Sequence, residues 1–238
     1  MTTLRSALDS RREEFDAHFA LAKALEDRMV LEGDTSLAGV SLSSRHINTI
    51  KSGLLVHLYN VEEAIMTQAL LFIGAALGSA EPRRWTEDSL REWLRENIVS
   101  RTSEGNEDSR LSTVFQLSSQ LLTGSFPEPQ NLKKPSGTWD DKVIAAFVRR
   151  MGINVQMPPE MWRRISAMPA YGDKTPLQFL AERRNAIAHG RRSFEEGAHD
   201  LELSSIRNLA DIVLDYMGYT ADAFQKHIAD SAHLTPAA

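Results

Sequence analysis

The chain has 238 residues, of which 42% are hydrophobic and 25% charged, with a net charge of −5. That is the composition of an ordinary globular protein long enough to bury a substantial core. It has no cysteine, which excludes disulfides and thiolate chemistry, and its acidic balance excludes coating nucleic acid through a global field while permitting a local basic site. Residues 1–16 lack the apolar stretch of a secretory signal. The longest apolar run, Ala69 to Leu77, is about half the ~20 residues that a membrane span needs. A cytoplasmic protein without a membrane partner is expected, folded as one domain over 1–238 with its core at about 44–217.

Apolar residues recur at helical spacing along most of the chain. Residues 3–32 read as an amphipathic helix with Leu8, Phe15, Phe19, Ala22 and Met29 towards one face. After a polar connection, a long helix over 44–77 carries Ile47, Leu54, Leu58, Val61, Ile65, Ala69 and Phe72 as its stripe. Glu62 falls inside that stripe, with Tyr59 and Glu63 at its flank. Thr86 caps a helix to about Val99, residues 100–110 read as a loop, and Leu111 to Leu122 as another helix. Gly124 to Gly137 holds three prolines and reads as a surface loop. Helices follow over 140–151, from Pro158, and from Thr175 to His189, with a polar loop over 191–200. The last helix, about Leu203 to Ala232, has Gly218 as a candidate break. No strand pattern persists and no repeat is present, so the fold class is all-α.

Chemistry concentrates in Arg183-Arg184-Asn185-Ala186-Ile187-Ala188-His189-Gly190. Thr175-Pro176 supplies the start of its helix and Gly190 the stop. At about 100° per residue, Leu177, Leu180 and Ile187 form a buried stripe and Arg184 falls within it. A guanidinium there must meet a carboxylate, a cleft or a second chain, so a pair with Glu62 or Glu63 is expected. Asn185 and His189 share another face. Arg-Arg pairs cluster after residue 145, and Arg183, Arg191 and Arg192 are candidate phosphate contacts. Glu196-Gly197-Ala198-His199 has the spacing of a metal motif but lies in a loop without a second copy. His57 reads as a hydrogen-bonded helix-face residue, and the histidines at 18, 46, 227 and 233 lack partners at ligand spacing, so no metal or cofactor is expected. P-loop, dinucleotide-binding and hydrolase-elbow motifs are missing.

Arg184-Asn185-Ala186-Ile187-Ala188-His189-Gly190 resembles the R-N-x-x-x-x-H signature of HEPN domains, in its RNxxAHG form. Leu58-Tyr59-Asn60-Val61-Glu62-Glu63-Ala64 and Ser136-Gly137-Thr138-Trp139 are similar to stretches of compact bacterial HEPN nucleases. The resemblance implies an HEPN-like helical bundle that cleaves RNA by attack of the 2′-hydroxyl on the adjacent phosphate. It implies Arg184, Asn185 and His189 as the catalytic group, with Glu62, Glu63 and Tyr59 in support. It further implies a homodimer and a toxin or antiviral defence role under a restraining or activating partner. The alternative is a non-catalytic helical dimerisation or binding module in which Arg184 is a structural ion pair and His189 a helix cap.

Overall fold

The computed structural model describes residues 3–33, 35–37, 39–124, 126, 130 and 132–236. Among these, the chain forms helices α1 (Leu4–Val30), α2 (Ser44–Gly78), α3 (Glu87–Leu94), α4 (Glu107–Thr123), α5 (Asp141–Arg150), α6 (Pro159–Arg164), α7 (Pro176–Ala188) and α8 (Leu203–Ala229). The only regular strands among the described residues are β1 (Ser36–Leu37) and β2 (Val40–Ser41), paired antiparallel with Ser36 opposite Ser41. The fold is all-α, as the apolar periodicity predicts.

Two compact units are present, each assembled from three stretches of chain. The first comprises Met1–Ile65, Thr138–Asp141 and Met157–Tyr219; the second comprises Met66–Gly137, Lys142–Gln156 and Thr220–Ala238. The proline-containing loop, 124–137, is the last part of the second unit's first stretch, and the chain returns to the first unit at Thr138. Its residues 125, 127–129 and 131 lie outside the described residues. Phe126 stacks on Trp85, Gln130 accepts from Trp93 Nε1 at 2.5 Å, and Leu132 is buried.

In the first unit the core is made by Phe15 of α1, Leu54, Leu55, Leu58, Val61 and Ile65 of α2, Leu177, Leu180 and Ile187 of α7, and Ile206, Leu209, Val213 and Met217 of α8. Each such fully buried aliphatic side chain contributes about 1.5–3 kcal/mol relative to its exposed state. The second unit packs Trp85, Trp93, Phe147 and Phe224, with the last two rings stacked 6.1 Å apart.

Helix ends explain most departures from the sequence-based boundaries. Thr86 accepts from the backbone N–H of Ser89, but α3 stops at Leu94 and a π-helical turn, Arg95–Ser100, follows. Helix α4 starts four residues before Leu111, because Asn106 Oδ1 accepts from Ser109 N–H and Glu107 and Asp108 favour the helix N-terminus. Gly218 does not break α8; the Arg5 side chain crosses where a Cβ would stand. Helix α2 is also more apolar than its nine-residue run suggested. By length and composition it could cross a membrane, although half of its most apolar stretch is buried inside the protein. It carries the buried Glu62, and Lys51 ion-paired to Glu26 at 3.1 Å.

Candidate functional site

Helix α7 positions the motif through both of its ends. Thr175 Oγ1 accepts from the backbone N–H of Gln178 at 3.2 Å and donates to Asp141 Oδ1, and Pro176 occupies the first turn without needing a partner. At the other end His189 has left helical geometry, at φ −98° and ψ 13°, while its backbone N–H still bonds to Asn185 O. Gly190 follows at φ +68°, a conformation in which any side chain is strained. Its N–H bonds to Ile187 O, and Arg192 N–H reaches back to Ala186 O. These bonds close the helix and turn the chain away directly after His189.

Arg184 is half-buried and held on three sides. Nη2 donates to Glu63 Oε2 and Nη1 to Asn185 Oδ1, each at 3.2 Å, and Cζ lies 4.4 Å from the centre of the Tyr59 ring. The expected ion pair thus resolves to Glu63, not Glu62. Asn185 Nδ2 donates to Thr138 Oγ1 at 2.8 Å, which turns its amide oxygen towards Arg184. Tyr59 is buried, and its hydroxyl accepts the backbone N–H of Trp139 at 3.2 Å. Burial first, then the nearby Glu62 and Glu63 carboxyls, pushes its pKa up to about 12, so the phenol stays neutral. The segment Thr138-Trp139 therefore braces both Asn185 and Tyr59. That role was missed in the sequence, where the stretch stood out only as a similarity.

Glu62 is fully buried, and neither of its oxygens has a hydrogen-bond partner among the described residues. Burial, reinforced by Asp140, Asp141 and Glu63, raises the pKa of its carboxyl well above the usual range. His189 is exposed, and its ring makes no hydrogen bond or ion pair among the described residues.

Arg183 is engaged elsewhere. It forms a bidentate pair with Asp200 at 2.6 and 2.8 Å, donates to Gly197 O at 3.1 Å, and lies over the Phe179 ring. Its side chain is only 13% exposed, which withdraws it from the phosphate contacts expected of it. The bond from Arg183 holds the Asp200 carboxyl below its ordinary range. Arg191 is exposed, and half-buried Arg192 reaches Glu196 O at 3.4 Å. Glu196 caps its own loop by accepting from Ser193 N–H and Oγ, while His199 Nδ1 faces Glu196 O.

The all-α fold and the Arg184-Asn185-Ala186-Ile187-Ala188-His189 motif on α7 point to one class of protein, the HEPN domains. The chain belongs to the HEPN_MAE_28990-like HEPN family, whose model matches residues 1–231. No curated protein and no solved structure matches the chain. HEPN domains are often ribonucleases, which makes RNA chemistry the function class to consider.

Proposed function

We propose that the protein is a metal-independent endoribonuclease whose catalytic residues are Arg184, Asn185 and His189. The observation that carries this reading is the fixed guanidinium of Arg184, held between Tyr59, Glu63 and Asn185 on the helix that ends at the unpaired His189. Only two of the five guanidinium N–H groups have protein acceptors among the described residues. The others can take the scissile phosphate and the charge that grows on it in the transition state. An imidazole at this position can remove the 2′-hydroxyl proton or protonate the leaving 5′-oxygen. The products are a 2′,3′-cyclic phosphate and a 5′-hydroxyl. One chain carries one such histidine, so a homodimer that apposes two α7 helices supplies both acid and base. Arg191 and Arg192 contribute phosphate contacts. The activity belongs to a cytoplasmic toxin or antiviral effector restrained or triggered by a partner protein.

Purified wild-type protein and His189→Ala, incubated with total RNA and tRNA in EDTA, test this reading. Wild type alone should cut, leaving cyclic phosphate ends. Cleavage that persists in His189→Ala, or ends bearing a 5′-phosphate, would overturn it. The Arg184–Glu63 pair is the observation that favours the second reading, a binding module with a structural arginine, and the stability of Arg184→Ala separates the two.

A further inference from the structure

Three aromatic side chains are exposed among the described residues, Phe115, Trp162 and Phe194. Phe115 and Trp162 stand on helices α4 and α6, whereas Phe194 stands on the loop that leaves the motif helix, five residues after His189. Five residues span at most about 18 Å, so the ring lies within a few nucleotides of the proposed scissile phosphate. It is 47% exposed, in a run of otherwise polar, charged or small residues, so core packing does not account for it. The turn that carries it is closed. The backbone N–H groups of Glu196 and Gly197 donate to Ser193 O at 3.1 and 2.9 Å, and the Glu196 carboxylate accepts from Ser193 N–H and Oγ, each at 3.1 Å. Phe194 and Glu195 are the two central positions of this turn. Glu195 is drawn to α2, where Arg45 holds it through Nε at 2.9 Å and Nη2 at 2.6 Å. Phe194 is left towards solvent on a backbone that these bonds fix, and a ring held in this way loses little freedom when a flat group stacks on it.

We propose that Phe194 is a base platform, the residue on which an unpaired RNA base beside the cleavage site stacks; the inference rests on the ribonuclease reading above. Charge decides that the ring takes a base and not a phosphate. Hydrogen bonds from Arg45 hold the Glu195 carboxyl below its ordinary range, and those from the Ser193 backbone and hydroxyl do the same for Glu196. The two residues that follow the ring are therefore ionised at neutral pH and repel phosphate. Arg191 and Arg192, which precede the turn, attract it. The phosphates go to the arginines, and the ring is left to the bases, whose faces carry no charge. Stacking needs a base face that no neighbouring base covers, and the interior of a duplex offers none. Phe194 thus selects single-stranded over paired RNA at this position.

The test measures binding of a fluorescent single-stranded RNA oligonucleotide to the full chain in the His189→Ala background, with copies of the RNA that carry one abasic residue at each position in turn. One abasic position should weaken binding about five- to hundredfold, the range of a single base–aromatic stack. Phe194→Ala should weaken binding of the intact RNA by a similar factor, abolish the penalty at that abasic position, and keep the slope of log affinity against log salt. Phe194→Trp should restore binding. Phe194→Leu keeps apolar bulk on the turn but no ring, so its failure to restore binding reports the stack and not the fold. A fully paired duplex should bind Phe194→Ala and its parent alike. Intact RNA that binds Phe194→Ala as tightly as the parent, or an abasic penalty that survives the substitution, would overturn the base platform and leave the ribonuclease reading standing. A His189→Ala protein that binds no single-stranded RNA overturns both.

Discussion

Degree of burial sets what the removal of Arg184 should cost. Its side chain is 26% exposed and that of Glu63 is 32% exposed, so water reaches both partners of the pair. Truncating one partner of a fully buried pair costs about 3–5 kcal/mol, because the other charge is stranded. Here Glu63 can rehydrate, so Arg184→Ala should cost no more than about 1–2 kcal/mol. His189→Ala, at an exposed side chain, should stay within about 0.5 kcal/mol of wild type. Both variants should nonetheless lose cleavage by orders of magnitude. Thermal melts run beside the RNA assay check this, and an Arg184→Ala protein that fails to fold would favour the binding-module reading. Glu62 makes a separate prediction about pH. Folding raises its pKa above the ordinary 4.5, so the folded protein holds a proton that the unfolded chain gives up. The associated stability is fully present below the unfolded value and lost as pH rises through the folded one. Glu62→Gln removes this loss, so its melting temperature should gain on wild type as pH increases from 5 to 8. A gap that stays constant with pH would show that Glu62 does not change protonation on folding.

At the scale of elements, the loop after α7 is tied to the motif helix, and Arg183 is the tie. A side chain at Gly197 would run into Ile187 of α7 and Ser52 of α2, which shows how closely the loop backbone approaches both helices. Arg183 binds the same loop through Asp200 and the Gly197 carbonyl. Arg183→Met should therefore lower stability by about 1–3 kcal/mol through the loss of charge-assisted hydrogen bonds. Its effect on cleavage should come from the loosened loop that carries Arg191 and Arg192. Salt titrations of RNA binding by a cleavage-deficient His189→Ala background tell the roles apart. Each phosphate contact removed reduces the slope of log affinity against log salt by about 0.7–0.9. Arg191→Ala should reduce the slope and Arg183→Met should leave it unchanged.

For the molecule as a whole, the proposed cleft needs a second copy. Sedimentation should give twice the mass of the chain, and specific activity should fall on dilution below the dimer's dissociation constant, since a monomer holds half the acid–base pair. Specific activity that is independent of concentration in a monomeric preparation would show that one chain suffices.

The sequence alone carried the all-α class, most helix starts, the chain stop at Gly190 and the pairing of Arg184 with a carboxylate of the Glu62-Glu63 pair. These features follow from short-range physics: apolar periodicity, capping residues, and a guanidinium that cannot sit unpaired in an apolar stripe. Which carboxylate answers Arg184 depended on the rotation of α2, which buries Glu62 completely and leaves Glu63 at the flank. The bracing of Asn185 by Thr138, the capture of Arg183 by Asp200, and the meeting of His18 with His57 join residues 47, 17 and 39 positions apart. Helical periodicity relates side chains only within a few turns of one another. Contacts between separate segments are set by how the helices pack, so only the tertiary structure decided them.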